Sequence, residues 1–398
     1  MAGSGSGCPS IPSPAPLTPK ILLAKPGFVS GGVPSGKFGR SGEEEAASLR
    51  SRLPSLNLLS DSWEFHIDRF LPFLTENTDF TVVGVIGPPG AGKSTIMNEL
   101  YGFDGSSPGM LLPFAIQSED TRAMAKHCTT GIESRVSADR LILLDTQPVF
   151  SPSVLAEMMK LDGSSTIPVL GSESLSAELA HEIMAIQDFC QLGVLLLSIC
   201  HIVLVVSEGV HDHSMCHLMS SVEMLKHGIP DPSLHISSQF TSTNIVLEKN
   251  KMLGSEEYLA ASVYVHTKLQ DQEINPSNVL KIRKALSQNK FYFSFTNAKG
   301  RVATKLPSKD NQSEMILDNL FFIPVKKDDS ARSSYESYFS AIWKLRDQVL
   351  SMSCPTFSRT VSERDWLKNA GKIWELIKNS SVIAEYCRVL QNQGIFRR

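Results

Sequence analysis

The sequence lacks a charge excess of either sign: 38 Lys and Arg stand against 41 Asp and Glu, a net charge of −3. No basic field therefore announces sequence-specific nucleic acid or an anionic membrane as a partner. It lacks paired cysteines, its seven thiols at 8, 128, 190, 200, 216, 354 and 387 showing no Cys-x-x-Cys spacing. Scattered thiols suit a reducing compartment better than a disulfide framework. It lacks a secretory leader, because "MAGSGSGCPSIPSPAP" has neither a basic start nor an apolar centre. It also lacks a run long enough to cross a bilayer. The best candidate, "LGVLLLSICHIVLVV" from Leu192 to Val206, carries His201 and falls short of the roughly 20 residues a spanning helix needs. A core helix feeding a core strand is expected there. The compartment expected is the cytoplasm, with the nucleus also open.

Residues 1–41 are rich in Gly, Pro and Ser and cannot bury enough apolar surface to offset their ordering entropy. A disordered tail over 1–55 and one nucleotide-binding domain with a helical extension over 56–398 are expected. Trp63, Ile67, Phe70 and Leu74 share helical spacing, with Pro72 bending or ending that segment. A βα rhythm follows. Thr81–Ile86 reads as a strand, with a helix from Lys93. "RLILLD" from Arg140 is a second strand, a helix fills much of 174–199, and Ile202–Val206 is a third strand. Residues 219–228 suit a helix ended by Gly228, and "NIVLEKNK" at 244–251 a fourth strand. Either "FYFSF" at 291–295 or "FFIPV" at 321–325 supplies a fifth. Two helices close the chain. One carries Tyr335, Tyr338, Phe339, Ile342, Trp343 and Val349 as an apolar stripe. The other carries Trp366, Ala370, Ile373, Ile377 and Ala384, opened by Ser362 and Glu363. Continuously apolar strands alternating with helices define an α/β, doubly wound, mainly parallel sheet with helices on both faces.

"VVGVIGPPGAGKSTIMNEL" carries the chemistry. Gly87, Gly92, Lys93 and Ser94 satisfy the pattern G-x-x-x-x-G-K-S between a strand and a helix. Glycines let successive backbone N–H groups curl around one anion, and the helix adds its positive end. Gly87, Gly90, Ala91, Gly92, Lys93, Ser94 and Thr95 are thus the expected phosphate-binding set. Lys93 would reach the β- and γ-phosphates, Ser94 would ligate Mg²⁺ and Thr95 would meet the α-phosphate. Asp145, ending the second strand, would hold the metal through a water. In "KHCTTGIE" a threonine, Thr129 or Thr130, would cover the γ-phosphate and metal, with Thr130 the expected metal-side candidate.

Two features expected of a hydrolytic G domain are missing. In "DTQP" the D-x-x-G glycine is Pro148, which has no N–H to donate, and Val149 has no group to orient water; Gln147 lies in a different register. In "NKML" Asn250 and Lys251 are present but Leu253 replaces the Asp that would accept from guanine. The ligand is therefore a purine nucleotide, ATP or GTP/GDP, with Mg²⁺ and the base left open. A working NTPase switch remains the alternative, with Gln147 or a partner's arginine positioning water. A small-molecule kinase would need an arginine-rich lid, and only Arg122, Arg135 and Arg140 lie between 90 and 150. His211, His213, Cys216 and His217 crowd into too short a stretch for a zinc site and read as a polar loop.

These segments, with "FFIPVK" and "ERDWLKNAGKIWELIKNSSVIAEYCRVL", resemble the nonsense-mediated mRNA decay factors of the SMG series, in particular their smaller G-domain-like subunit. The resemblance runs from about residue 60 to 390, with 150–180 and 255–315 unmatched. It implies a G-domain-like P-loop fold and a heterodimer with a larger G-like decay subunit. It also implies docking on the phosphatidylinositol-kinase-like protein kinase that phosphorylates the decay helicase. The role implied is regulatory and scaffolding. Gly87, Gly90, Gly92, Lys93, Ser94 and Thr95 carry over as phosphate-binding positions. Pro148 and Leu253 put hydrolysis and guanine preference in doubt, not membership.

Overall fold

The computed structural model describes residues 54–103, 111–124, 126–162, 177–234, 257–287, 319–326, 335–352 and 354–392. All belong to one unit that begins at Leu49. The expected tail falls outside them but for Pro54 and Ser55, as do the expected strands at 244–251 and 291–295.

The strands β1 (Asn57–Leu59), β2 (Thr81–Ile86), β3 (Ile132–Val136), β4 (Leu141–Thr146), β5 (Ile202–Glu208), β6 (Ala261–Leu269) and β7 (Leu320–Pro324) form one sheet. Their order is β1-β3-β4-β2-β5-β6-β7. β4, β2, β5, β6 and β7 run parallel, and β3 and β1 add antiparallel pairs at one edge. The expected α/β doubly wound sheet is therefore observed. Of the two fifth-strand candidates, 321–325 is seen as β7, and the position beside β5 is taken by Ala261–Leu269, which the sequence reading passed over.

Period-two alternation explains why helices cover both faces. On β2, Val82 and Ile86 join one core with Ile142, Leu144, Val203 and Val205. Helices α5 (Ala177–Ile199), α6 (His213–Lys226), α9 (Glu363–Lys378) and α10 (Ser381–Asn392) pack on that side. Val83 and Val85 join the other core with Leu141, Leu143, Leu204 and Val206, under α2 (Lys93–Tyr101) and α8 (Tyr338–Ser351). The remaining helices are α1 (Ile67–Phe70), α3 (Glu119–Ala123), α4 (Pro152–Asp162) and α7 (Pro276–Ser287). The apolar run at 192–206 is a core helix feeding a core strand, as read. Among the described residues no helix is long and apolar enough to cross a membrane, and the six described cysteines are free thiols.

Several helices differ from expectation. The 62–75 segment holds only the single turn α1 and a 3₁₀ turn at Leu71–Phe73. Pro72 cannot continue an α-helical bond pattern, which fixes the change there. On α8 the buried stripe is Ala341, Ile342, Leu345 and Val349, while Tyr335, Phe339 and Trp343 are exposed. The last stripe ends at Ile377, and exposed Ala384 belongs to a third terminal helix, α10. Ser362 caps α9 as expected, its Oγ accepting from Asp365 N at 3.2 Å. The fully enclosed Glu363 carboxylate accepts from Arg140 Nε at 2.8 Å, Arg140 Nη2, Thr75 N at 2.7 Å and Thr75 Oγ1 at 3.0 Å, fastening α9 to the sheet.

His201 sits at the junction of α5 and β5, where its Nδ1 accepts from Val82 N at 2.9 Å. Burial lowers its pKa to about 4, and burial does the same at His266. Both rings are neutral when folded, but an unfolded chain protonates them below the ordinary 6.5. Stability is therefore full above that value and lost as pH falls from about 6.5 to about 4, by roughly 3 kcal/mol per ring. Urea midpoints measured against pH are expected to decline across this window, with His201→Gln removing about half of the slope. A flat profile would contradict the assignment.

Candidate functional site

The parallel strands diverge in connection on either side of β2, and ligands of such sheets sit beyond the carboxyl ends at that point. The phosphate loop leaves β2 there. A Cβ on Gly87 would lie 2.1 Å from the Val206 carbonyl, so only glycine lets the loop pass β5. Gly90 and Gly92 hold φ of 71° and 97°. Gly92 then starts α2, accepting from Ile96 N at 3.0 Å.

Lys93 is buried and donates from Nζ to the Pro88 carbonyl at 3.0 Å. Ser94 Oγ donates to Asp145 Oδ2 at 2.7 Å, and Thr129 Oγ1 donates to the same oxygen at 2.9 Å. Among the described residues Asp145 Oδ1 is buried with no hydrogen-bond partner. Burial pushes the Asp145 carboxyl up, against the pull of the Lys93 charge and of Ser94 and Thr129. Burial likewise lowers the Lys93 ammonium to about 8, against the Asp145 charge. Each charge is thus poorly solvated where it stands. An anion at Lys93 and a divalent cation at Asp145 would relieve both. A cleft of about 360 Å³, open solvent included, is lined by Pro89, Gly90, Lys93, Ser94, Gln117 and Thr129, among others.

Ser94 and Asp145 are therefore brought together, and Thr129 joins them. Thr130 is placed elsewhere, lining a neighbouring cleft with Trp63, Gln147 and Asp188. Of the two adjacent threonines in the approach to β3, it is Thr129 that bonds to Asp145. Thr95 is half-buried on α2, beside the loop. Asn250, Lys251 and Leu253 lie outside the described residues.

Another pair holds the position expected of a base-recognition motif. β6 ends in Thr267-Lys268-Leu269, with Gln270 just beyond. Thr267 Oγ1 donates to the Ala91 carbonyl at 2.8 Å, tying β6 to the phosphate loop. Lys268 has a positive φ of 59° and pairs with Glu208 at 2.7 Å. A Cβ on Gly90 would lie 3.9 Å from its Nζ. "HTKLQ" carries the Thr-Lys signal, but its polar residues hide the strand.

Gln147 is committed elsewhere. Its Oε1 accepts from Gly131 N at 3.0 Å and its own N donates to the Gly131 carbonyl at 2.8 Å. Past Pro148, Val149 N donates to the Gly87 carbonyl at 3.1 Å. His127, also unforeseen, lines the cleft and joins it to α4 through Ser153 at 2.9 Å and Glu157 at 3.3 Å. Burial lowers its pKa; the Lys93 charge lowers it further and Glu157 opposes. The His211–His217 stretch is the N-terminus of α6, capped by Asp212 rather than a loop. Among the described residues no metal-ligating cluster of three or more such groups occurs.

Strand order, loop and Ser94–Asp145 pair together define a P-loop protein of G-domain-like α/β fold. No family model matches the chain. The nonsense-mediated mRNA decay factor SMG9 of Xenopus laevis is 29% identical over 361 residues, covering 83% of this chain and 66% of the frog protein. SMG9 of Caenorhabditis briggsae is 30% identical over 250 residues, covering 61% of this chain and 60% of its own. A septin GTPase domain from Chlamydomonas reinhardtii aligns with 76% of this chain and 99% of that one, at 13% identity and a TM-score of 0.32. That likeness is too loose to add to the strand order itself. The chain is a homologue of the vertebrate and nematode decay factor SMG9, and it spans about 66% of the length of the frog relatives.

Gly87→Ala is expected to destabilise the protein by about 1–3 kcal/mol, because the new methyl meets backbone that cannot yield. Thermal unfolding checks this, and an unchanged midpoint would contradict the close passage of loop and β5.

Proposed function

We propose that the chain is a nucleotide-binding regulatory subunit in nonsense-mediated mRNA decay that holds its nucleotide as a structural ligand. The observation that carries the nucleotide reading is the Asp145 carboxylate, bonded to Ser94 and Thr129 with its second oxygen unpartnered beside buried Lys93. The loop amides of Gly87–Gly92, with Lys93 and Thr95, would hold the phosphates, and Ser94 and Asp145 the Mg²⁺. When bound, the metal would supply charge neutralisation between the phosphates and Asp145. Thr267 and Lys268 would support the base side. Gln270 stands where a guanine-specific site has Asp; its amide offers one donor and one acceptor face, the complement of the adenine edge. Adenine is therefore the favoured base in this reading.

Retention without turnover is supported by the fixed Gln147 and by Pro148, which leave no free water-positioning group on β4. A bound ligand still has a use, since a thousandfold excess over its Kd stabilises the folded state by about 4 kcal/mol. The decay role is supported by the homologues' name. With it we propose the heterodimer with a larger G-like subunit, docking on the phosphatidylinositol-kinase-like kinase, and a cytoplasmic or nuclear site of action.

Calorimetry with Mg²⁺ and ATP or GTP tests the reading. ATP is expected to bind, more tightly than GTP, and Lys93→Ala to weaken binding at least 100-fold, roughly the 3 kcal/mol of a charged contact. Absence of binding to either nucleotide would overturn it.

A further inference from the structure

The loop–helix segment between α2 and β3 is anchored at its base. Asn98 on α2 clamps the Phe114 backbone, its Nδ2 donating to the carbonyl at 3.0 Å and its Oδ1 accepting from the N–H at 2.8 Å. Arg135 on β3 holds the same stretch from the other side, donating to the Pro113 carbonyl at 3.1 Å and lying 5.7 Å over the Phe114 ring. From that anchor Gln117 reaches the cleft, and α3 follows, capped by Ser118, which accepts from Thr121 N at 3.1 Å. The element therefore stands over the phosphate loop rather than away from it.

α3 carries Arg122. Its guanidinium Nη2 stands 3.6 Å from where a Cβ on Gly90 would be, at the lip of the loop. Of the three arginines between 90 and 150, Arg135 is engaged with Pro54, Pro113 and Glu133, and Arg140 with Glu363. Arg122 is exposed and forms no ion pair among the described residues. Lys268, the other cation at Gly90, is already paired with Glu208. One uncommitted guanidinium thus faces the mouth of an anion site whose buried cation, Lys93, lies deeper. A planar five-donor group in that place matches the outermost oxygens of a polyphosphate.

We propose that Arg122 is a phosphate-binding residue supplied in cis, which contacts the terminal phosphate of a nucleoside triphosphate and makes the site prefer tri- over diphosphate. This rests on the reading of the loop as a nucleotide site. It adds a specificity-determining residue and a reason for the segment's anchoring. With Gln147 fixed to Gly131, the arginine holds the terminal phosphate rather than assisting water to attack it.

The test is calorimetric titration of the full chain and of Arg122→Ala and Arg122→Lys with magnesium ATP and magnesium ADP, the GTP and GDP pair run alongside. Arg122 is exposed, so unfolding midpoints of the variants are expected to match the wild type. Arg122→Ala is expected to weaken triphosphate binding about 10- to 100-fold, as loss of a charge-assisted contact does, and diphosphate binding less than threefold. Arg122→Lys is expected to recover part of the loss. Unchanged triphosphate affinity in Arg122→Ala would overturn the assignment, as would an equal loss for tri- and diphosphate. A wild-type chain that binds none of the four nucleotides would overturn the nucleotide reading itself, and this assignment with it.

Discussion

A buried carboxylate sets the terms for the rest of this structure. Asp145, next to last in β4, is fully enclosed, with Ser94 and Thr129 on one oxygen and, among the described residues, no hydrogen-bond partner on the other. Those two bonds join three separate stretches: the start of α2, the approach to β3 and the end of β4. Isolated charges in such surroundings are costly, and proteins keep them only with partners or ligands. Lys93, lowered to about 8 by its own burial, shares the same difficulty. In the proposed reading a bound anion and cation would relieve both, at the place beyond the strand ends that the doubly wound sheet provides.

The sheet also bears on the proposed retention without turnover. A switch needs a residue free to hold water at the terminal phosphate. Here Gln147, the glutamine just past β4, is bonded twice to Gly131, and the next position is a proline. The same bonds that hold β3 against the end of β4 remove that freedom. The bonds on which the proposed lack of turnover rests are thus part of how the antiparallel edge is built. A protein organised this way gains by keeping a ligand, because a retained nucleotide adds its binding energy to the fold and to any surface the loop supports.

Much of this was legible in the sequence where physics is local. β2 and the start of α2 were read at their observed limits, because an apolar strand, a glycine turn and Lys-Ser-Thr leave few alternatives. β3 was invisible because "IESRV" carries Glu133 and Arg135, which pair with each other at 2.7 Å instead of advertising an apolar face. β6 was hidden by His266, Thr267 and Lys268, polar residues that break its apolar run. Tyr335, Phe339 and Trp343 read as core by spacing yet lie exposed, since periodicity marks a face and not what covers it. Thr129 and Thr130 could be separated only once the path of the chain into β3 was known, since Thr129 alone bonds to Asp145. Arg122 is the clearest case. Its count among the arginines was plain, but its nearness to Gly90 depends on Asn98 and Arg135 holding a distant segment.

The central claim, that the site binds a nucleoside triphosphate and retains it, is tested most directly by the fate of the bound nucleotide. The purified chain is loaded with magnesium ATP or GTP, freed of excess, held for hours at room temperature and denatured, and the released nucleotide is resolved by ion exchange. The account predicts an intact triphosphate. A bound diphosphate with released phosphate would contradict it and show a working switch.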